Sequence, residues 1–212
     1  MNTQVKKDHY FRKKYDDLDR FISYFYQVDL SQDAVGGGVK ILEIGKGNGF
    51  YSDYMKKLGY QVTTCDFDKD LNPDVVADIR KLPFLDNSFD LVTAFEVLEH
   101  LPFAEVEVAL SELKRVSNGK VLISVPYKST YFEFVFKFPF VRTIFRRLFL
   151  DFHLRIPLVF GGIGVSGQHY WEIDLFETPL RKVRSAIRKF FQIEKEISPV
   201  LDHYHRFFVL KK

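Results

Sequence analysis

Short apolar runs recur through the middle of the chain: "VKILEI" from Val39, "YQVTTCD" from Tyr60, "DVVADI" from Asp74, "FDLVTAF" from Phe89 and "KVLISVP" from Lys120. The runs are continuous rather than alternating, which predicts strands buried on both faces of a sheet. Between them lie stretches with helical spacing, such as "FYSDYMKKLG" from Phe50 and "AEVEVALSELKRVS" from Ala104. Strands alternating with helices predict a parallel sheet covered on both sides. Upstream, "DDLDRFISYFYQVDL" sets Leu18, Phe21, Ile22 and Phe25 at i, i+3, i+4 and i+7, so an amphipathic helix is expected to bury that face. The triple glycine in "SQDAVGGGVK" reads as a loop into the first strand. Near the end, "FFQIEKEIS" and "HYHRFFVLKK" are parted by a proline-containing turn and predict a closing antiparallel pair.

The alternation breaks between Tyr127 and Gln168, a run far longer than an ordinary connection between sheet elements. There "PFVRTIFRRLFLDF" predicts a helix with Phe140, Val141, Ile144, Phe145, Leu148 and Phe149 on one face and Arg142, Arg146 and Arg147 on the other. Pro139 suits its first turn. From Tyr127 to Phe160 the cations Lys128, Lys137, Arg142, Arg146, Arg147 and Arg155 face only Glu133 and Asp151. Two roles are open for this insertion: a lid packed on the domain, or a peripheral membrane contact through residues 131–160. Charges interrupt it too often for a transmembrane span. The expected organisation is one domain, with a helical segment at 1–38, a core at 39–126, the insertion at 127–168 and a closing helix and strands at 169–212.

Composition narrows the class. A hydrophobic share of 46% with 28% charged residues excludes a disordered or collagen-like chain. A net charge of +3 is too mild to argue for nucleic acid. Cys65 is the single cysteine, so no internal disulfide forms and a reducing compartment is expected. Residues 1–20 hold no apolar stretch of the signal-peptide kind, and a cytoplasmic protein is the expectation.

The first strand runs straight into "GKGNG", with glycines at 45, 47 and 49. A dinucleotide fingerprint would need a third glycine where Phe50 stands, and the lysine and hydroxyl of a phosphate loop are absent. A tight strand-to-helix turn needs glycines for its own packing as well. Acids stand at the carboxyl ends of successive strands, where open α/β sheets bind ligands: Glu43 in the first, Asp66 at the second and Asp78 at the third. A carboxylate at the second can accept from both ribose hydroxyls, and one near the third from an adenine amino group.

In that order and spacing "VKILEIGKGNG", "VTTCD", "ADIRKLPFLDNSFDLV" and "FEVLEHL" resemble the class I S-adenosylmethionine-dependent methyltransferases of the small-molecule, type 11-like kind, over roughly Val39 to Pro126. The resemblance implies a Rossmann-like α/β fold: seven strands, mostly parallel, with an antiparallel C-terminal strand and here a helical insertion after the fifth. It also implies that Gly45, Gly47 and Gly49 pass under the methionine part of S-adenosylmethionine. Asp66 would hold the ribose and Asp78 with the Ile79 amide would read the adenine, while Glu43, Phe67 and Phe95 complete the cofactor contacts. Lys46 stands where the family usually has a small residue; a solvated side chain and a partner for the methionine carboxylate are both open.

Methyl transfer to a hydroxyl also needs the acceptor proton removed, by a base or by a metal that lowers its pKa. If a helix starts after the fourth strand, Glu96, Glu99 and His100 share one face. Many class I methyltransferases carry a similar string without metal. The spacing also resembles that of ubiquinone-pathway O-methyltransferases and of terminal 2′-O-methyltransferases of small RNAs, which bind Mg²⁺ there; the latter add a later histidine, matched here by His169. Two sets follow: Glu96, Glu99, His100 and His169 around Mg²⁺ or another divalent ion, or Glu99 and His100 as catalytic groups with His100 the base. The expected activity is methyl transfer to oxygen on a small or membrane-associated acceptor, with an RNA acceptor or a non-catalytic scaffold as alternatives.

Overall fold

The computed structural model describes residues 7–212 apart from residues 14, 147–148, 157–167 and 176. A short helix α1 (Lys7–Tyr10) precedes α2 (Leu18–Ala34), whose start is capped by Asp17, its carboxylate accepting the Arg20 amide at 3.0 Å. The alternating core follows: β1 (Lys40–Ile44), α3 (Phe50–Lys57), β2 (Gln61–Asp66), β3 (Val75–Val76), β4 (Phe89–Phe95), α4 (Val106–Val116) and β5 (Ser117–Pro126). After β5 come β6 (Thr130–Phe136), α5 (Val141–Phe145), β7 (Leu150–Ile156), α6 (Leu180–Arg188), β8 (Gln192–Ile197) and β9 (His205–Lys211).

One sheet holds seven of these strands in the order β3-β2-β1-β4-β5-β9-β8. Pairings from β3 to β5 are parallel, and β9 runs antiparallel to both β5 and β8. This is the expected sheet, and its continuous apolar runs have the expected cause. Leu42, Val92 and Ile123 point into one layer beneath α4 and α6, whereas Ile41, Leu91 and Leu122 point into the other beneath α2 and α3. Each such side chain, fully withdrawn from water, contributes about 1.5–3 kcal/mol of transfer free energy.

Two expectations need correction. Helix α2 forms, but Leu18, Phe21 and Phe25 are exposed, and its buried positions are Ser23, Tyr24, Gln27, Leu30 and Ser31. That face is held by hydrogen bonds as much as by apolar area: the Ser31 hydroxyl lies 2.8 Å from the Tyr51 hydroxyl and donates to the Gln27 carbonyl at 2.7 Å. The insertion, secondly, is not a long helix. It is a two-stranded antiparallel ribbon, β6 against β7, with the five-residue α5 near its tip. Val141 is buried, whereas Phe140, Ile144 and Phe145 are exposed; Arg147 and Leu148 lie outside the described residues. Seven residue pairs fix the register of this ribbon.

The turn between β1 and α3 positions everything that follows. Gly45 and Gly47 adopt φ of 84° and 54°, and a Cβ on Gly45 would lie 2.5 Å from the Val97 Cγ2. Gly45 is thus required twice, by its left-handed backbone and by the close approach of the segment after β4. Gly45→Ala is expected to lower stability by about 3 kcal/mol, from strain plus overlap. In a Val97→Ala background the same substitution should cost only about 1–2 kcal/mol, the backbone part alone. A urea-denaturation double-mutant cycle measures the difference.

Candidate functional site

At the carboxyl ends of β1 and β4 the chain encloses a cavity of about 160 Å³, lined on the sheet side by Glu43, Gly45, Gly47, Phe95, Glu96 and His100. Gln168 and His169 close it at one end. Of the insertion's described residues, Gln168 reaches the cavity and those of β6 and β7 do not. The N-terminal segment also covers it, contributing His9, Tyr10, Tyr15, Arg20 and Tyr24. Tyr10 lies over the glycine turn, its ring carbons 3.5 Å from the point a Cβ on Gly47 would occupy. Asn48 fastens the segment down, donating to the Tyr24 hydroxyl at 2.9 Å and to Asp16 at 3.1 Å. Arg20 stacks over the Tyr15 ring at 5.0 Å and feels the Glu96 charge. Sequence reading missed these residues because the helix periodicity pointed to the opposite face of α2.

Asp66 clamps the turn to the end of β2. One carboxylate oxygen accepts the Lys46 amide at 2.7 Å and the other the Asp68 amide at 2.8 Å. Phe67 follows it, about one-third exposed. Lys46 also lines the cavity, and its ammonium donates to the Asn72 carbonyl at 2.6 Å. Asp78 accepts from both the amide and the Nε of Arg80 at 2.9 Å, and this partner holds its carboxyl below the usual range; Ile79 beside it is buried. Gly49 caps α3 with φ of 80°. None of Gly49, Asp66, Phe67, Asp78 and Ile79 lines the cavity as closed by Tyr10.

The acids after β4 part company. Glu96 has φ of 54°, and the next turn, Leu98–His100, is 3₁₀ rather than α-helical, so the expected common helix face does not form. Glu96 turns to β5 and β9: the Ser124 hydroxyl donates to it at 2.6 Å and His205 Nε2 stands 3.4 Å away. Burial opposes its charge, but His205 overrides this and holds Glu96 well below the usual carboxylate range. His205, bonded on its other side to Asp202, is buried yet held protonated by the two acids.

Glu99 is fully buried, with neither carboxylate oxygen hydrogen-bonded among the described residues. Burial, followed by the Glu96 charge, raises its pKa well above the usual range. Its neighbours are His100 and His169, and the candidate ligand atoms of the three lie within 4.8 Å of one another. This cluster is stitched together across seventy residues of chain: the Tyr170 amide donates to the Glu99 carbonyl at 2.8 Å, and the Trp171 indole to the Leu101 carbonyl at 3.1 Å. His100 Nδ1 lies 2.8 Å from the Gln168 carbonyl, and His169 Nδ1 the same distance from the buried Glu172 carboxylate. Carbonyl and carboxylate oxygens only accept, so both Nδ1 atoms carry a proton. Burial lowers the His100 pKa, keeping it neutral.

Residues 42–123 match the family model of the methyltransferase domain. The demethylmenaquinone methyltransferase of Renibacterium salmoninarum is 31% identical over 126 residues, which cover 50% of this chain and 52% of that protein. The ubiquinone biosynthesis O-methyltransferase of Xanthomonas euvesicatoria pv. vesicatoria is 34% identical over 41% of this chain and 43% of its own length. The chain spans about half the length of the curated relatives it matches. A crystal structure of an S-adenosylmethionine-dependent methyltransferase from Aquifex aeolicus superposes with a TM-score of 0.64, at 16% identity, covering 98% of both chains. Residues 42–123 thus resemble a methyltransferase domain, and the chain shares the fold of an S-adenosylmethionine-dependent methyltransferase.

Glu43 gives the site a titration of its own. It is buried in β1, and burial raises its pKa to about 8. The folded chain therefore keeps this proton between the ordinary carboxyl range and about pH 8, while the unfolded chain has released it. The stability Glu43 contributes is present at acid pH and falls as pH rises through that window, by up to about 1.4 kcal/mol per pH unit. Glu43→Gln should remove this slope. Urea midpoints of parent and variant, compared at pH 5 and pH 8, should diverge at the higher pH in favour of the variant.

Proposed function

We propose that this chain transfers the methyl group of S-adenosylmethionine to an oxygen of a small acceptor. The observation that carries the reading is the convergence of two sets at one end of the sheet: Glu43, Gly45 and Gly47 with Asp66 holding their turn from behind, and the Glu99–His100–His169 cluster, whose two histidines line the same cavity. In this reading the methionine part lies along Gly45, Gly47 and Gly49, with its ammonium toward Glu43, which is thereby ionised. Asp66 takes the ribose hydroxyls, Asp78 and the Ile79 amide the adenine, and Phe67 and Phe95 flank the nucleoside. Arg20, which lines the cavity, is the cation offered to the methionine carboxylate, since Lys46 is engaged elsewhere. Tyr10 occupies space above Gly47, so the N-terminal segment moves aside to admit the cofactor and closes again over it.

Transfer from a sulfonium is a displacement that gains most from alignment, with the acceptor oxygen, methyl carbon and sulfur in line. Deprotonation of the acceptor falls to the cluster after β4. Its donor set suits a divalent cation: a buried carboxylate lacking hydrogen bonds among the described residues and two imidazoles, each with its Nδ1 proton committed. Glu99, His100 and His169 would hold such an ion; Glu96, turned to His205, would not. When bound, the ion supplies Lewis-acid lowering of the acceptor pKa. Glu172 and the Gln168 carbonyl fix the two rings in position. Names of the relatives support a small-molecule acceptor: one is named for demethylmenaquinone, another for O-methylation in ubiquinone biosynthesis.

Two measurements test the proposal. Asp66→Asn should weaken S-adenosylhomocysteine binding about 30-fold in calorimetry, equivalent to about 2 kcal/mol for the lost charge on the ribose bonds. Unchanged affinity in a folded variant would overturn the cofactor assignment. With a catechol as acceptor, chelator should abolish turnover, and Mn²⁺ should give an electron paramagnetic resonance signal of bound ion that Glu99→Gln and His169→Ala each remove. Full turnover in excess chelator would leave His100 as a general base acting through Nε2.

A further inference from the structure

The β6–β7 ribbon has its amphipathicity inverted. Register places Phe132 opposite Leu154, Phe134 opposite Phe152 and Phe136 opposite Leu150, all on one face. The other face carries Tyr131 opposite Arg155, Glu133 opposite His153 and Val135 opposite Asp151. It is the polar face that packs on the body. Glu133 reaches His203 at 2.8 Å and the Leu201 amide at 3.2 Å, and Arg155 donates to the Ser129 and Ser198 hydroxyls and the His203 carbonyl at 2.7–2.9 Å. The guanidinium also lies 4.0 Å over the Tyr127 ring. The apolar face looks outward: Phe132, Phe134, Phe136, Phe152 and Leu154 are each 50–59% exposed.

Toward the tip the apolar surface continues through Phe138, Phe140, Ile144 and Phe145, with Phe140 at 73% exposure. Lys137, Arg142 and Arg146 are exposed among them and form no ion pair with any described residue. A contiguous apolar surface of this size is not a feature of a fully solvated protein face. The charges decide what covers it. Pairing with a second copy through the same face would bring like cations of two tips together, whereas an anionic bilayer surface places phosphates beside the cations and hydrocarbon beneath the phenyl rings. No helix among the described residues is long and apolar enough to cross a membrane, so the contact is interfacial.

We propose that the outward face and tip of the β6–β7 ribbon dock this chain on the surface of an anionic lipid bilayer. The surface lies apart from the cavity and stands independently of the reaction proposed above. Flotation with vesicles of neutral phosphatidylcholine, and of phosphatidylcholine mixed with phosphatidylglycerol, tests it directly. The parent should float with the anionic vesicles, and less so at raised salt. Phe134→Glu combined with Phe152→Glu should lower the bound fraction about tenfold or more, because both rings leave the hydrocarbon boundary. Lys137→Glu combined with Arg142→Glu should remove the preference for anionic lipid. The ribbon is anchored through its opposite face, so both variants should keep the parent's melting temperature and its S-adenosylhomocysteine affinity, which separates this result from the fate of the methyltransferase reading. Absence of flotation, or flotation that neither variant changes, overturns the proposal. So does a parent dimer in sedimentation equilibrium that Phe134→Glu with Phe152→Glu converts to monomer without lipid present, for the face would then belong to a second copy.

Discussion

The close approach of the Gly45 backbone to Val97 is the contact on which the site depends. It draws the end of β1 and the segment after β4 together, which sets Glu43 and the glycine turn beside Glu96, Glu99 and His100. Any Cβ at position 45 would push these two loops apart. Asp66 completes the joint from the β2 side by accepting the Lys46 amide. A single carboxylate thus holds the turn shut in the free protein, and in the proposed complex it meets the ribose. The same crossing from β1 to β4 is where an open α/β sheet reverses its strand order and opens a crevice for a ligand.

Around that joint the electrostatics are divided rather than shared. Glu96 and Glu99 are close in sequence and both buried, yet one is held ionised by a buried imidazolium and the other is driven toward its neutral form. The division follows from their partners: Glu96 has the His205 imidazolium beside it, whereas Glu99 has burial and the Glu96 charge against it. Glu99 then stands beside two imidazoles whose Nδ1 protons are committed elsewhere. Burial of a carboxyl without a hydrogen bond is costly, and a ligand that relieves it binds with correspondingly greater gain.

The parallel sheet was legible in the sequence because burial on both faces leaves no polar alternation, and β1, β2, β4 and β5 each read as one apolar run. The glycine turn and the acids at strand ends were legible for the same reason: their positions follow from where those runs stop. Helix α2 was legible as a helix but not in its orientation. Its buried face is built from Ser23, Gln27 and Ser31, which hydrogen-bond locally, while Phe21 and Phe25 remain outside, so apolar spacing pointed the wrong way. The insertion carried two periods at once. "YFEFVF" alternates with period two, as β6 requires, but "PFVRTIFRRLF" fits a helix, and only cross-strand pairing with β7 decides between them. His169 beside His100 follows from a motif spacing, whereas the pairing of Glu96 with His205 on β9 is a long-range contact that no local spacing encodes.

A crystal structure of the chain with S-adenosylhomocysteine tests the central claim most directly. The account predicts the ribose hydroxyls on Asp66, the homocysteine part along Gly45 and Gly47, and Tyr10 lifted from its place over Gly47. A structure from crystals grown in saturating S-adenosylhomocysteine, with Tyr10 still seated on the glycine turn and no nucleoside at Asp66, would contradict it.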